Sequence, residues 1–254
     1  MALNSSIEWT ESTWNPVTGC TKISDGCLNC YAERMARRLA GRYGYPKENP
    51  FKLTLQPDRL SQPLNWKKTH NIFVCSMSDI FHKNVPDSYI FEILGVINKC
   101  PQHTFQILTK RANRMARISN NIGQWPHNVW IGVTVESEKH KKRIDYLKSA
   151  NASVKFISFE PLLDDVNQIN LNGINWVIVG GESGPGSRQM RQEWAANIRD
   201  QCLKMNISYF FKQWGGFNKK ANGRRLEGKE WNQMPILLNT KEINPAASIE
   251  CRRL

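Results

Sequence analysis

Short apolar runs rich in Val, Ile and Phe recur along the chain, each closing on polar residues and each followed by a stretch of helical spacing. They are "NIFVCSMSD" (71–79), "TFQILTKR" (104–111), "VWIGVTVES" (129–137), "VKFISFEPLL" (154–163), "INWVIVGGESG" (174–184) and "SYFFKQWGG" (208–216). Such alternation is the pattern of a parallel sheet wound by crossovers, and the intervals leave room for one helix between successive strands. The spacing predicts helices over 31–42, 87–99, 111–119, 138–149 and 190–205, and an earlier strand near 7–9 or 14–17. The expected fold class is therefore α/β, a partial or complete TIM-like (β/α) barrel of about six to seven parallel strands. It occupies residues 1–216 as one domain. Residues 43–70, with four prolines, read as an extended excursion, and 217–254 as an irregular C-terminal wrap and tail.

In βα barrels the loops at the C-terminal strand ends converge on one face, and working residues collect there. Here every such end is polar: Ser76, Ser78 and Asp79; Thr109, Lys110 and Arg111; Thr134 and Glu136; Glu160; Gly181, Glu182 and Ser183; Lys212 and Gln213. The "GGESG" stretch lacks the spacing of a dinucleotide fingerprint and the ending of a P-loop. Its adjacent glycines let a ligand approach the backbone, and Glu182 can accept a hydrogen bond from an ammonium or hydroxyl group.

Ahead of this rim, "TGCTKISDGCLNCYAERMARR" (18–38) places Cys20, Cys27 and Cys30 on a loop that runs into a basic helix. Thiolates bind iron–sulfur clusters and zinc, and three of them leave one iron of a four-iron cluster open. A closed zinc site needs a fourth ligand. The spacing alone leaves a cluster, a zinc site and plain thiols equally open. The seven cysteines are odd in number and follow no secretory leader, so reduced thiols in a cytoplasmic protein are expected rather than a disulfide framework. No apolar run is long enough for a membrane span, and no membrane partner is expected. With 35 Lys and Arg against 22 Asp and Glu, the net charge of +13 favours a polyanionic partner, nucleic acid first. Arg34, Arg37 and Arg38 follow the cysteine loop. The stretch 212–231 interleaves Lys219, Lys220, Arg224 and Arg225 with Trp214, an arrangement that could hold phosphates while an aromatic face stacks a base.

Taken in order, "WNPVTGC", "DGCLNCYAER", "IFVCSMSDIFH", "FQILTKR", "ISFEPLL", "WVIVGGESG" and "FFKQWG" resemble the phage-associated three-cysteine proteins grouped with the radical S-adenosylmethionine (SAM) superfamily. The resemblance runs through nearly the whole chain and speaks to class more than to substrate. It implies a radical SAM barrel with a [4Fe–4S] cluster on Cys20, Cys27 and Cys30, SAM on the open iron, and reductive cleavage of SAM to a radical that takes hydrogen from substrate. Six residues separate Cys20 from Cys27, where the superfamily's usual loop has three. By the same resemblance Ser76, Ser78 and Asp79 would take the methionine end of SAM, Thr134 and Glu136 its ribose, and Gly180, Gly181 and Glu182 its adenosine. Lys110, Arg111, Glu160, Lys212 and Gln213 remain for substrate, and Cys75 is either a hydrogen donor or a small buried residue. An electron donor and a separate family-associated partner protein are also implied. The expected activity is modification or repair of a nucleotide in DNA or RNA. The alternatives are a non-enzymatic nucleic-acid-binding module with a structural zinc–cysteine site, and a hydrolase using the carboxylate rim with a divalent metal.

Overall fold

The computed structural model describes residues 5–235. Seven strands form one sheet: β1 (Ser12–Trp14), β2 (Asn71–Val74), β3 (Thr104–Thr109), β4 (Val129–Thr134), β5 (Val154–Phe159), β6 (Trp176–Gly180) and β7 (Ser208–Gln213). All neighbours run parallel and sheet order follows chain order. Helices α1 (Tyr31–Arg38), α2 (Asp87–Asn98), α3 (Ala112–Ile122), α4 (Arg143–Lys148) and α5 (Gln192–Lys204) lie in five of the six connections.

Alternate residues of a strand part to opposite faces. Ile72 and Val74, Phe105 and Ile107, Ile131 and Val133, and their counterparts on β5 to β7 join the core beneath the helices. Phe73, Trp130, Phe156, Trp176, Ile178 and Phe210, set between them in sequence, gather around Trp9 on the other face. This second cluster proves the curl of the sheet. Trp9 lies 4.8 Å from the Phe73 ring on β2 and 6.0 Å from the Trp176 ring on β6. Those two rings are thus within about 11 Å of each other, whereas four strand spacings in a flat sheet would separate them by about 19 Å. Among the described residues no pairing joins β1 to β7, so the barrel is partial. The free edge of β7 is covered instead by residues 231–233, through Phe211 N–H to Trp231 O at 2.8 Å and Gln233 N–H to Tyr209 O at 3.2 Å. An unpaired strand edge is a template for aggregation, and this cover removes it.

The helices form where one face can be buried. In α2, Tyr89, Ile90, Ile93, Leu94 and Ile97 make that face, and in α5 Ala195, Ile198, Arg199 and Cys202 do. Where the sequence supplies less apolar surface, the helix is shorter than its spacing predicts. The run 138–143, "EKHKKR", has nothing apolar to pack, so only a 3-10 turn precedes α4, whose buried residues are Ile144 and Leu147. Helix α1 stops at Arg38, short of 42, as the chain turns through Gly41 at φ 71°. The first strand falls at Ser12–Trp14, overlapping the second expected position at Trp14.

The excursion 43–70 is partly ordered into a two-stranded antiparallel ribbon, Val17–Thr18 with Thr54–Leu55, and two 3-10 turns, Pro57–Arg59 and Gln62–Asn65. After β7 come a short helix, Lys219–Asn222, and a hairpin of Arg225–Leu226 with Lys229–Glu230. The rest of the expected tail, 236–254, lies outside the described residues. Among the described residues no helix is long and apolar enough to cross a membrane.

Candidate active site

The cysteine loop and the C-terminal strand ends enclose a cavity of about 420 Å³. Cys20, Cys27 and Cys30 all line it, as does Cys75 just past β2. The loop leaves the barrel at Gly19, whose φ of 75° and absent side chain are both required, since a Cβ there would stand 2.1 Å from the Lys52 carbonyl oxygen. Gly19 N–H donates to Met77 O at 3.1 Å, Cys20 N–H to Phe51 O at 3.1 Å, and Ser78 Oγ to Gly19 O at 2.5 Å. Cys75, on the same cavity wall, holds φ 59°, a left-handed conformation that costs a non-glycine residue about 1–2 kcal/mol.

Three carboxylates at strand ends hold this loop down, each neutralised by an arginine. Asp79 accepts Thr109 Oγ1 at 2.8 Å and Arg111 Nη1 at 3.0 Å. Arg111 in turn reaches Cys20 Sγ at 3.5 Å and donates to Thr21 O at 2.9 Å. Glu136, without exposed surface, accepts Arg143 Nη1 at 2.6 Å and Ser24 Oγ at 2.5 Å, with Lys110 Nζ at 3.6 Å. Burial works against its ionisation, but Lys110, Arg143 and Ser24 outweigh that and hold its carboxyl below the usual glutamate range. Glu182 takes Arg188 Nε at 2.8 Å, Arg188 N–H at 2.9 Å and Asn29 Nδ2 at 3.0 Å, and is lowered likewise against its burial. Buried His82 adds a fourth tie, Nε2 to Thr21 Oγ1 at 2.8 Å.

Desolvation pushes the Cys20 thiol up to about 11, although Arg111 opposes it, and burial raises Cys75 further. Both are thiols at neutral pH. Among the described residues no three Cys, His, Asp or Glu side chains converge on a single metal ion. All six described cysteines are free.

The other expected site residues divide. Glu160 and Lys212 meet in the cavity, Nζ to Oε1 at 2.5 Å, and Lys110 and Thr134 line the same space. Between Glu160 and Lys212 lies Gly180, and a Cβ on Gly181 would stand 1.9 Å from the Trp214 carbonyl oxygen. Ser76 Oγ donates to Asn15 Oδ1 at 3.3 Å. Of the residues expected to meet phosphates and bases, Arg111 is engaged inside the cavity wall with Asp79. Trp214 packs on Phe211 with ring centroids 4.8 Å apart and donates Nε1–H to Arg225 O, while Arg224 lies over the Phe210 ring and donates to Lys212 O. Arg34 clamps the loop after β6 through Ser183 O at 2.8 Å, Arg37 pairs with Glu33, and Arg38 and Arg225 are exposed. The side chains of Lys219 and Lys220 lie outside the described residues. Ser24, Asn29, Arg143 and Arg188 were not legible as site residues, whereas His82 is expected near the cysteines from its place after the second strand. The one local signal is an arginine six or seven positions after Glu182 and Glu136.

The family model described as "Protein of unknown function (DUF5131)" matches residues 4–235. The chain belongs to this family. No curated protein matches it. Among solved structures, "Spore photoproduct lyase complexed with dinucleoside spore photoproduct" is similar at a TM-score of 0.39 and 10% sequence identity, over 74% of this DUF5131 chain. The match covers 59% of that lyase chain, so this chain spans less than two thirds of its length.

Proposed function

We propose that this member of the DUF5131 family is a cytoplasmic radical SAM enzyme that modifies or repairs a nucleotide in DNA or RNA. The observation that carries the reading is the gathering of Cys20, Cys27 and Cys30 from one loop onto one cavity at the C-terminal mouth of a parallel partial barrel. Three separate thiols around a rim suit a polynuclear cluster, whose irons each take one thiolate at a different corner. The residues present therefore fit a [4Fe–4S] group held by these cysteines. Ser76, Ser78, Thr134, Gly180 and Gly181 would receive SAM. When bound, the pair supplies one-electron cleavage of SAM and hydrogen-atom abstraction, with the electron coming from an external donor.

The chain's own residues do the rest. Asp79, Glu136 and Glu182 serve as posts for the cysteine loop, since their oxygens are already committed to Arg111, Arg143, Arg188, Ser24 and Asn29. Arg111, 3.5 Å from Cys20 Sγ, lowers the cost of removing the Cys20 proton on ligation. Cys75 stays a buried thiol, S–H intact, facing the cavity. Lys110, Glu160 and Lys212 supply polar contacts to substrate.

The test is anaerobic reconstitution with iron and sulfide, followed by reduction in the presence of SAM. A brown protein with about four irons per chain that forms 5′-deoxyadenosine is expected, and Cys27→Ala should abolish both cluster and product. Zinc at one per chain with no SAM turnover would replace this reading with a structural zinc module.

A further inference from the structure

Three residues of the cavity wall carry a polar atom without a partner: Trp9 Nε1, Ser158 Oγ and Gln213 Oε1. Ser158, 1% exposed on β5, carries an unpaired Oγ, and Gln213, 3% exposed at the end of β7, an unpaired Oε1. Ser158 belongs to the concave face, two residues on from Phe156 and across the strand pairing from Thr134. A buried polar group left unmatched costs about 1–3 kcal/mol, and on a cavity wall a bound group can supply the missing partner. From β5 to β7 the Glu160–Lys212 pair bridges over Gly180, where a Cβ would come 3.5 Å from both side chains.

Lys212 is matched by Glu160, so the wall around Ser158 and Gln213 is locally neutral, while Lys110 shares Glu136 with Arg143 and keeps part of its charge at the edge of this wall. The wall offers hydrogen-bond donors beside acceptors. One residue in from the strand ends, Phe73 and Leu108 line the same cavity together with Trp9 and add apolar surface to it. A flat, uncharged ring with a mixed polar edge matches both surfaces.

We propose that this wall binds a heterocyclic base carrying an N–H beside a C=O, a lactam edge. The N–H donates to the Glu160 or Gln213 oxygen, the C=O accepts from Ser158 and Lys212, and the ring face lies against Trp9 and Phe73. The assignment rests on the reading of the substrate as a nucleotide and narrows it to bases with that edge. The adenine of SAM lacks an N–H beside a C=O, so the cofactor and the substrate base are distinguishable ligands of the same cavity.

The experiment is calorimetric titration of the full chain, as purified and after anaerobic reconstitution, with thymidine, inosine, adenosine and cytidine. Thymidine or inosine should bind at least about tenfold more tightly than adenosine and cytidine in one of the two forms. Ser158→Ala should weaken that binding about three- to tenfold while leaving the thermal midpoint unchanged or raised, because it deletes a hydroxyl the free protein does not satisfy. Equal or reversed preference, no nucleoside binding in either form, unchanged binding by Ser158→Ala, or a lowered midpoint would each overturn the proposal. Failure of the radical SAM reading would show separately, as a chain that holds no cluster and cleaves no SAM yet keeps its base preference.

Discussion

Glu136 has no exposed surface and is nonetheless ionised, because Arg143 at 2.6 Å, Lys110 at 3.6 Å and the Ser24 hydroxyl surround it. Removing one partner of such a buried pair strands the other, at a cost of about 3 kcal/mol or more. Glu136→Gln should therefore lower the unfolding free energy by about that amount in urea denaturation. It should also raise amide exchange selectively over residues 20–30, because Ser24 loses its anchor. The pH dependence follows from the same contacts. The carboxyls of Glu136 and Glu182 are lowered in the folded state, so their contribution is complete above the unfolded glutamate value of about 4.3 and is lost as pH falls through the lower folded value. Wild-type stability should decline below about pH 4.3 more steeply than that of Glu136→Gln, and parallel curves for the two proteins would show that Glu136 is not ionised as described.

Among the strands, the concave face depends on one small position. Gly132 on β4 stands opposite Phe156 on β5, and a Cβ at 132 would lie 2.5 Å from the Phe156 Cζ. Phe156 is fully buried and packed at 5.6 Å from Trp176, so it cannot swing aside. Gly132→Ala should destabilise the fold by about 1–3 kcal/mol through overpacking. The double variant Gly132→Ala with Phe156→Leu should recover part of the loss, which equilibrium unfolding will measure. The period-two pattern that puts Phe156, Ser158 and Glu160 on one face was readable in "VKFISFEPLL". The close approach to Gly132 was not, because it arises between strands rather than along one. The helices show the same division. Their faces follow from local spacing, while the shortening of α1 and α4 reflects how little apolar surface each had to bury.

Taken whole, the chain carries +13 after its carboxylates are subtracted, and the arginines nearest the cavity are paired with Asp79, Glu136, Glu182 and Asp87. The remaining exposed cations, Arg38 and Arg225 among them, are those free to meet phosphates. If about four phosphates are neutralised, affinity for single-stranded DNA or RNA should fall about tenfold or more between about 50 and 200 mM salt. Filter binding across that range checks this, and a flat profile would reassign the substrate to a free nucleoside. The number of strands, their parallel order and the polarity of every strand end could be read from the chain, since hydrophobic periodicity and punctuation act over a few neighbouring residues. So could the three cysteines as one local loop. Whether the barrel closes, which arginine meets which carboxylate, and that Trp214 turns inward could not. Those outcomes join residues such as Ser24 to Glu136 and Asn29 to Glu182, 112 and 153 positions apart, and depend on the curl that brings opposite strands onto one indole.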